Sequence, residues 1–204
     1  MCDVSGVPQA YDMFMMTGVG QVATDRHNPL FRAIKPDRTA PDDFFGAFKF
    51  RKPLRGDLIA SGERFASLAA DLAHSNGFVF TATLKQFKKN QGTIVSIAPK
   101  NGRSLPVTRF AIVSNAKTDT LQLQYGSGSA MNSATFQRAS ITDPPKTWNK
   151  VVLSVVGSSA TLYVNCAEIG TVRLESLFYK TFDASGSDLR LANAVNGMQD
   201  YKVR

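Results

Sequence analysis

Cysteine is nearly absent: Cys2 and Cys166 are the only two, too few for a disulfide scaffold and without metal-ligand spacing. They allow one structural bridge, or else a buried free thiol. Histidine is as scarce. His27 and His74 stand isolated, which leaves no serine–histidine–carboxylate set and no metal set. Glutamate occurs only as Glu63, Glu168 and Glu175, none in an alternating acidic strand, and the adjacent Asp42 and Asp43 diverge if extended. Glycan hydrolysis needs two carboxylates facing one cleft. These absences argue against catalysis, so no catalytic residue, cofactor or metal ligand is assigned. No apolar run approaches the ~18–20 residues that span a bilayer; Met13-Phe14-Met15-Met16 is short and flanked by polar residues, and no membrane insertion is expected. Nor does a charged stretch followed by an apolar one open the sequence, so no signal peptide is read.

Acid is also in deficit. Lysine and arginine number 24 against 16 aspartates and glutamates, a net charge of +8. Between Asp71 and Asp119 no acidic residue occurs at all. Such a surplus favours polyanions, whether nucleic acid, anionic membrane or sulfated glycan. The plain alternative is a solvated basic surface with no cognate partner.

What is present is ordinary globular material: 43% hydrophobic, 20% charged, with 14 phenylalanines suited to half-buried strands. At 204 residues the chain fits one large all-β domain spanning 1–204. Short alternating runs separated by turn residues dominate. Phe78, Phe80, Ala82 and Leu84 fall on one face of a strand, and Val79, Thr81 and Thr83 on the other. Further strands are read at 93–98, 109–114 and 121–125, with a loop at Gly126-Ser127-Gly128-Ser129. A hairpin-like pair at 148–156 and 161–166 flanks Gly157-Ser158-Ser159, and a last strand is placed at 189–195. One helix is expected from Ser61, as N-cap, to His74, where the helix dipole favours a cation. Phe65, Leu68 and Leu72 recur at its spacing, and Asn76-Gly77 is read as a left-handed stop.

Several of these segments resemble a known family. Trp148-Asn149-Lys150-Val151-Val152-Leu153-Ser154-Val155, then Thr161-Leu162-Tyr163-Val164-Asn165-Cys166, resembles a strand pair of laminin-G-like sandwiches, where a Trp opens one strand and a Cys closes the next. Gly77-Phe78 through Leu84-Lys85-Gln86-Phe87-Lys88-Lys89-Asn90-Gln91-Gly92-Thr93, followed by Phe110 to Asn115, is similar to the thrombospondin N-terminal domain. Tyr11-Asp12-Met13-Phe14 with Thr17-Gly18 is similar to that domain's opening strand. The resemblance runs from about residue 11 to about 195. It implies an all-β antiparallel jelly-roll sandwich, laminin-G or concanavalin A-like, with one short helix. It also implies a non-catalytic module of a secreted matrix glycoprotein that binds heparin or heparan sulfate and meets cell-surface receptors, in a parent that oligomerises through segments absent here.

Three departures from the family pattern stand out. After the opening segment, Gln21 to His27 is poor in cations, which shift to Arg32, Lys35 and Arg38. The final strand reads as shortened or missing. The family's strand cysteine pairs with one further on, yet none follows Cys166; Cys2 is then the candidate partner, against a pairing beyond residue 204 or a buried Cys166 thiol.

Polyanion recognition needs several cations projecting from one surface, Lys as point charges and Arg as bidentate ones. Lys85, Lys88 and Lys89 share one interstrand loop and meet that need, unless the loop is lysine-rich only to stay solvated. Lys49, Arg51, Lys52 and Arg55 form a second group. If Phe48 and Phe50 face the core, Lys49 and Arg51 point outward together; the alternative is an edge strand guarded by charge. Arg55-Gly56-Asp57 spells the tripeptide that many integrins recognise, although short matches also arise by chance. Phe87 among the lysines hints at single-stranded nucleic acid, but one aromatic is thin support and no nucleic-acid partner is expected. Trp148 is read as core.

Overall fold

The computed structural model describes residues 10–32, 34–37, 47–50, 58–60, 62–86, 91–100, 108–127, 130–141 and 147–192. The described chain opens with helix α1 (Met13–Thr17) and helix α2 (Val19–Thr24), then a 3-10 turn at Pro29–Arg32. The expected opening strand is therefore helical. Asp12 caps α1, its Oδ1 accepting the Phe14 N–H at 2.8 Å and the Met15 N–H at 3.1 Å. Gly18, at φ 66°, ends α1 and starts α2. A satisfied N-cap followed by helix-favouring methionines outweighs the strand-like pattern, and Met16 and Val19 enter the core.

Short strands β1 (Ile34–Pro36) and β2 (Phe48–Phe50) pair with each other, and β3 (Leu58–Ala60) follows. Helix α3 (Glu63–His74) turns Phe65, Ala69 and Leu72 inward. Gly62, not Ser61, holds its N-cap position, and its last residue, His74, lies with Nδ1 2.8 Å from the Ala70 carbonyl. The helix stops on an extended Ser75 rather than a left-handed Asn76-Gly77. Gly77 serves another purpose: a Cβ there would meet the Val155 carbonyl oxygen at 2.0 Å. It is a site of close backbone approach, the other reason a strand tolerates glycine.

Nine strands then complete two antiparallel sheets: β4 (Gly77–Leu84), β5 (Gln91–Pro99), β6 (Thr108–Asn115), β7 (Thr120–Ser127), β8 (Ala130–Gln137), β9 (Asn149–Val156), β10 (Ser159–Val164), β11 (Ala167–Arg173) and β12 (Ser187–Leu191). The smaller sheet runs β11-β10-β9-β4, the larger β3-β12-β5-β6-β7-β8. Of the stretch read as a loop, Gly126 and Ser127 belong to β7, Ser127 pairing with Ala130, and Gly128 and Ser129 lie outside the described residues. Strands β3, β8 and β11 escape the sequence reading because their alternation is short or diluted by Ser, Asn and Gly. The last strand read at 189–195 is found over Leu189–Leu191 and starts two residues earlier, while 193–195 lie outside the described residues. β12 lies at Ser187–Leu191, between β3 and β5. Among the described residues the one helix expected is α3, and two further short α-helices and two 3-10 turns, one at Phe178–Thr181, accompany it.

The sheets close over one apolar cluster. Phe80, Val151, Leu153, Val155, Ala160 and Leu162 come from the smaller sheet; Val95, Ile97, Ile112, Leu121, Leu123, Leu189 and others come from the larger. Aromatic rings fill one end: Phe178 stacks on Phe110 at 5.2 Å and on Tyr125 at 4.8 Å, and Phe78 meets Tyr179 edge-on at 5.7 Å. Two of these rings also tie connecting segments, as Tyr125 Oη accepts the Glu175 N–H at 3.0 Å and Tyr179 Oη donates to the Asn76 carbonyl at 3.2 Å. Offset and edge-to-face contacts of this kind add to plain area burial.

Candidate functional site

Alternation decides which side chains reach solvent at the end of the smaller sheet. Leu84 packs against the core, and its register partner Asn149 is fully buried. The residues beside that pair, Lys85 after β4 and Trp148 before β9, therefore emerge on the opposite, outer face. They meet there, with Lys85 Nζ 5.8 Å from the centre of the Trp148 ring. Lys150, opposite Thr83, follows Trp148 on the same face. Trp148 is thus half-buried and carries a cation, rather than sitting in the core.

The backbone under this group is pinned. Asn149 donates from Nδ2 to the Ile141 carbonyl at 2.8 Å, and its Oδ1 accepts Asn165 Nδ2–H at 2.7 Å. Asn165 in turn exchanges two bonds with Lys150, at 2.9 Å through its Oδ1 and 2.8 Å through its N–H. Asn165 and Cys166 form the tight β10–β11 turn, both at positive φ, 50° and 69°, as a two-residue hairpin with primed geometry demands. Cys166 is exposed and takes part in a disulfide, so it is neither buried nor a free thiol. Cys2, the other cysteine of the chain, lies outside the described residues.

The lysine loop is not a hairpin. β4 and β5 belong to different sheets, so the segment after Lys85 crosses from one layer to the other. Gln86 anchors its start: fully buried, it accepts from Ser114 Oγ on β6 at 2.7 Å. Satisfying a buried amide this way fixes the backbone while Lys85 stays outside. Lys88 and Lys89 lie outside the described residues, as do Arg51, Lys52, Arg55, Gly56 and Asp57. Lys49 pairs in β2 with Lys35 of β1, and the neighbouring Phe48 and Phe50 pack against the core as expected. Gln86, Lys150, Asn149 and Asn165 were not singled out from the sequence. The signal for Lys150 was present in Trp148-Asn149-Lys150, where strand alternation sends the outer two residues to one side.

The larger sheet presents a different outer face. Gln122 Nε2 donates to Thr135 Oγ1 at 3.1 Å, and Gln124 Nε2 to Gln122 Oε1 at 2.6 Å. On β7 and β8 these polar groups are neutral and bonded to one another, while Arg109, Asp188 and Arg190 fall on the same face further across the sheet. Glu63, Glu168 and Glu175 are exposed and lie on α3, on β11 and just after β11. Among the described residues no three metal-ligating side chains gather. Among the described residues no helix is long and apolar enough to cross a membrane.

Two stacked antiparallel sheets with short helices define a jelly-roll β-sandwich. No family model matches the chain, but thrombospondin-1 and thrombospondin-2 are its homologues, as the strand motifs implied. It is 28% identical to chicken (Gallus gallus) thrombospondin-2 over 154 residues, covering 74% of this chain and 12% of that protein. It is 27% identical to mouse (Mus musculus) thrombospondin-2 over 193 residues, covering 95% and 15% respectively. With Xenopus laevis thrombospondin-1 the figures are 27% over 196 residues, 93% and 15%. The chain thus spans 12 to 15% of the length of these curated relatives. Among solved structures, a NanB structure with Optactamide superposes at TM-score 0.50 and 12% identity, covering 74% of this chain and 23% of that one. Mouse laminin alpha1 domains LG4-5 give 0.41 and 12%, covering 65% and 37%.

Proposed function

We propose that residues 1–204 form one non-catalytic module of a larger secreted matrix glycoprotein, and that it binds heparin or heparan sulfate on a basic surface. The observation that carries this reading is the position of Lys85: outward at the start of an anchored crossover, with Lys88 and Lys89 next in sequence and Lys150 on the same face. The net charge of +8 and the likeness to thrombospondins support it. Lys49, Arg51, Lys52 and Arg55 extend the cationic surface in this reading. Replacing Lys88 and Lys89 by Ala should weaken heparin binding several-fold and lower the salt needed for elution, because screening competes with each contact. Unchanged elution of the folded double mutant would sink the assignment.

The tripeptide Arg55-Gly56-Asp57 favours a second reading, adhesion through an integrin, separable from the first. Asp57 supplies a carboxylate, whereas a polyanion wants only cations. Asp57→Ala should abolish integrin-dependent adhesion and leave heparin affinity equal or slightly higher. Equal adhesion of wild type and mutant to cells stripped of heparan sulfate would remove this reading.

A further inference from the structure

Trp148 and Lys150 belong to neither cation group, yet the fold sets them beside Lys85. A lysine side chain is long, and holding its ammonium in one place ordinarily costs rotamer freedom when a ligand binds. Here the indole quadrupole attracts the ammonium, and the ring is half-buried on a backbone pinned by Asn149 and Asn165. We propose that Trp148 is the positioning residue of an aromatic–cation subsite, with Lys85 and Lys150, that takes one anionic group of a sulfated sugar chain. This rests on the polyanion-binding reading above and adds to it the subsite and its preorganising residue. The ligand chemistry follows from the occupied ring. Single-stranded nucleic acid gains its affinity by stacking bases on an aromatic face. At Trp148 the Lys85 ammonium already stands over that face, so a base must expel the cation to stack. A sulfate instead approaches the ammonium and leaves the ring in place.

Trp148 is the only tryptophan in the chain, so its intrinsic fluorescence reports on this subsite alone. Heparin titrated into the wild-type protein should shift the emission and saturate with the same midpoint as binding measured by calorimetry. Trp148→Leu should weaken heparin binding roughly two- to fivefold, the scale of an exposed cation–π contact. Trp148→Phe should recover part of that loss. Neither should change the slope of affinity against salt, because no charge is removed, whereas Lys85→Gln and Lys150→Gln should each make it shallower. Heparin binding with silent fluorescence, or Trp148→Leu binding as wild type, overturns the subsite and leaves the polyanion reading standing. Tighter binding of oligo(dT) than of heparin at equal salt, with strong quenching, overturns the choice of ligand. Failure of the wild type to bind heparin at physiological salt removes the reading and the subsite together.

Discussion

The outer surface of β7 and β8 and the Lys85 end of the smaller sheet differ in kind although both are strand surfaces that water reaches. On the larger sheet, Gln122, Gln124 and Thr135 satisfy one another across β7 and β8. At the end of the smaller sheet, Lys85 and Lys150 flank a half-buried indole, above a knot of asparagine hydrogen bonds. A neutral, self-bonded patch such as the one on β7 and β8 offers a polyanion nothing that water does not. A preorganised cationic edge offers charge whose ordering cost is already met by folding. The difference teaches that net charge alone does not define a binding surface; the backbone bonds beneath the cations matter as much.

The disulfide at Cys166 gives the most severe way to break this contrast. It closes onto the turn that carries Asn165, and we propose Cys2 as its partner. Reduction, or Cys166→Ser, should destabilise the fold by about 2–5 kcal/mol, measured by denaturant unfolding with and without reductant. If the pairing is right, Cys2→Ser should match Cys166→Ser; a mutant of Cys2 that unfolds like wild type ends the proposal. Next comes Gly77→Ala. The added methyl would press on the Val155 carbonyl and disturb the β4–β9 pairing that brings Lys85 to Trp148. The expected loss is about 1–3 kcal/mol, the usual scale of overpacking, and heparin binding should fall with it.

Exchanging charge between the faces sharpens the comparison directly. Lys85→Gln should lower the salt at which the protein leaves a heparin column, while Gln122→Ala with Gln124→Ala should leave it where it was. Equal loss in both variants would mean that the polyanion spreads over both sheets. The smallest effect lies away from both. Tyr11 Oη donates to Asp71 Oδ2 at 2.5 Å, and that bond to a carboxylate, helped by burial and by the charge itself, pushes its pKa up to about 12. A phenol pKa raised above its ordinary 10 means stability fully present below pH 10 and lost as pH rises through about 12. Ultraviolet titration should show late tyrosines, since burial also raises the pKa of Tyr179, and Tyr11→Phe should remove one of them with heparin binding at neutral pH unaltered.

Periodicity revealed the strands whose alternation is long and whose ends are marked. β4, β9 and β10 are of this kind, with Gly157 turning the hairpin at φ 54°. Helix α3 was legible for the same reason, since apolar spacing is a local property. The misreadings have equally local causes. At Tyr11 to Phe14 a capping aspartate defeated an apparent strand, and at Asn76-Gly77 a turn dipeptide was mistaken for a stop because the Val155 carbonyl that needs the glycine lies far along the chain.

From residue order alone follow the all-β character, the basic surplus, the thrombospondin likeness and the lysines after β4. Each is a matter of composition or of short-range pattern, which a chain carries whether folded or not. Sheet membership was settled only in three dimensions, and with it that the interstrand loop is a crossover anchored by Gln86 and Ser114. The meeting of Lys85 with Trp148 belongs there too. It depends on the β4–β9 register, and register is chosen by the fit of two faces against a common core, which no single segment contains.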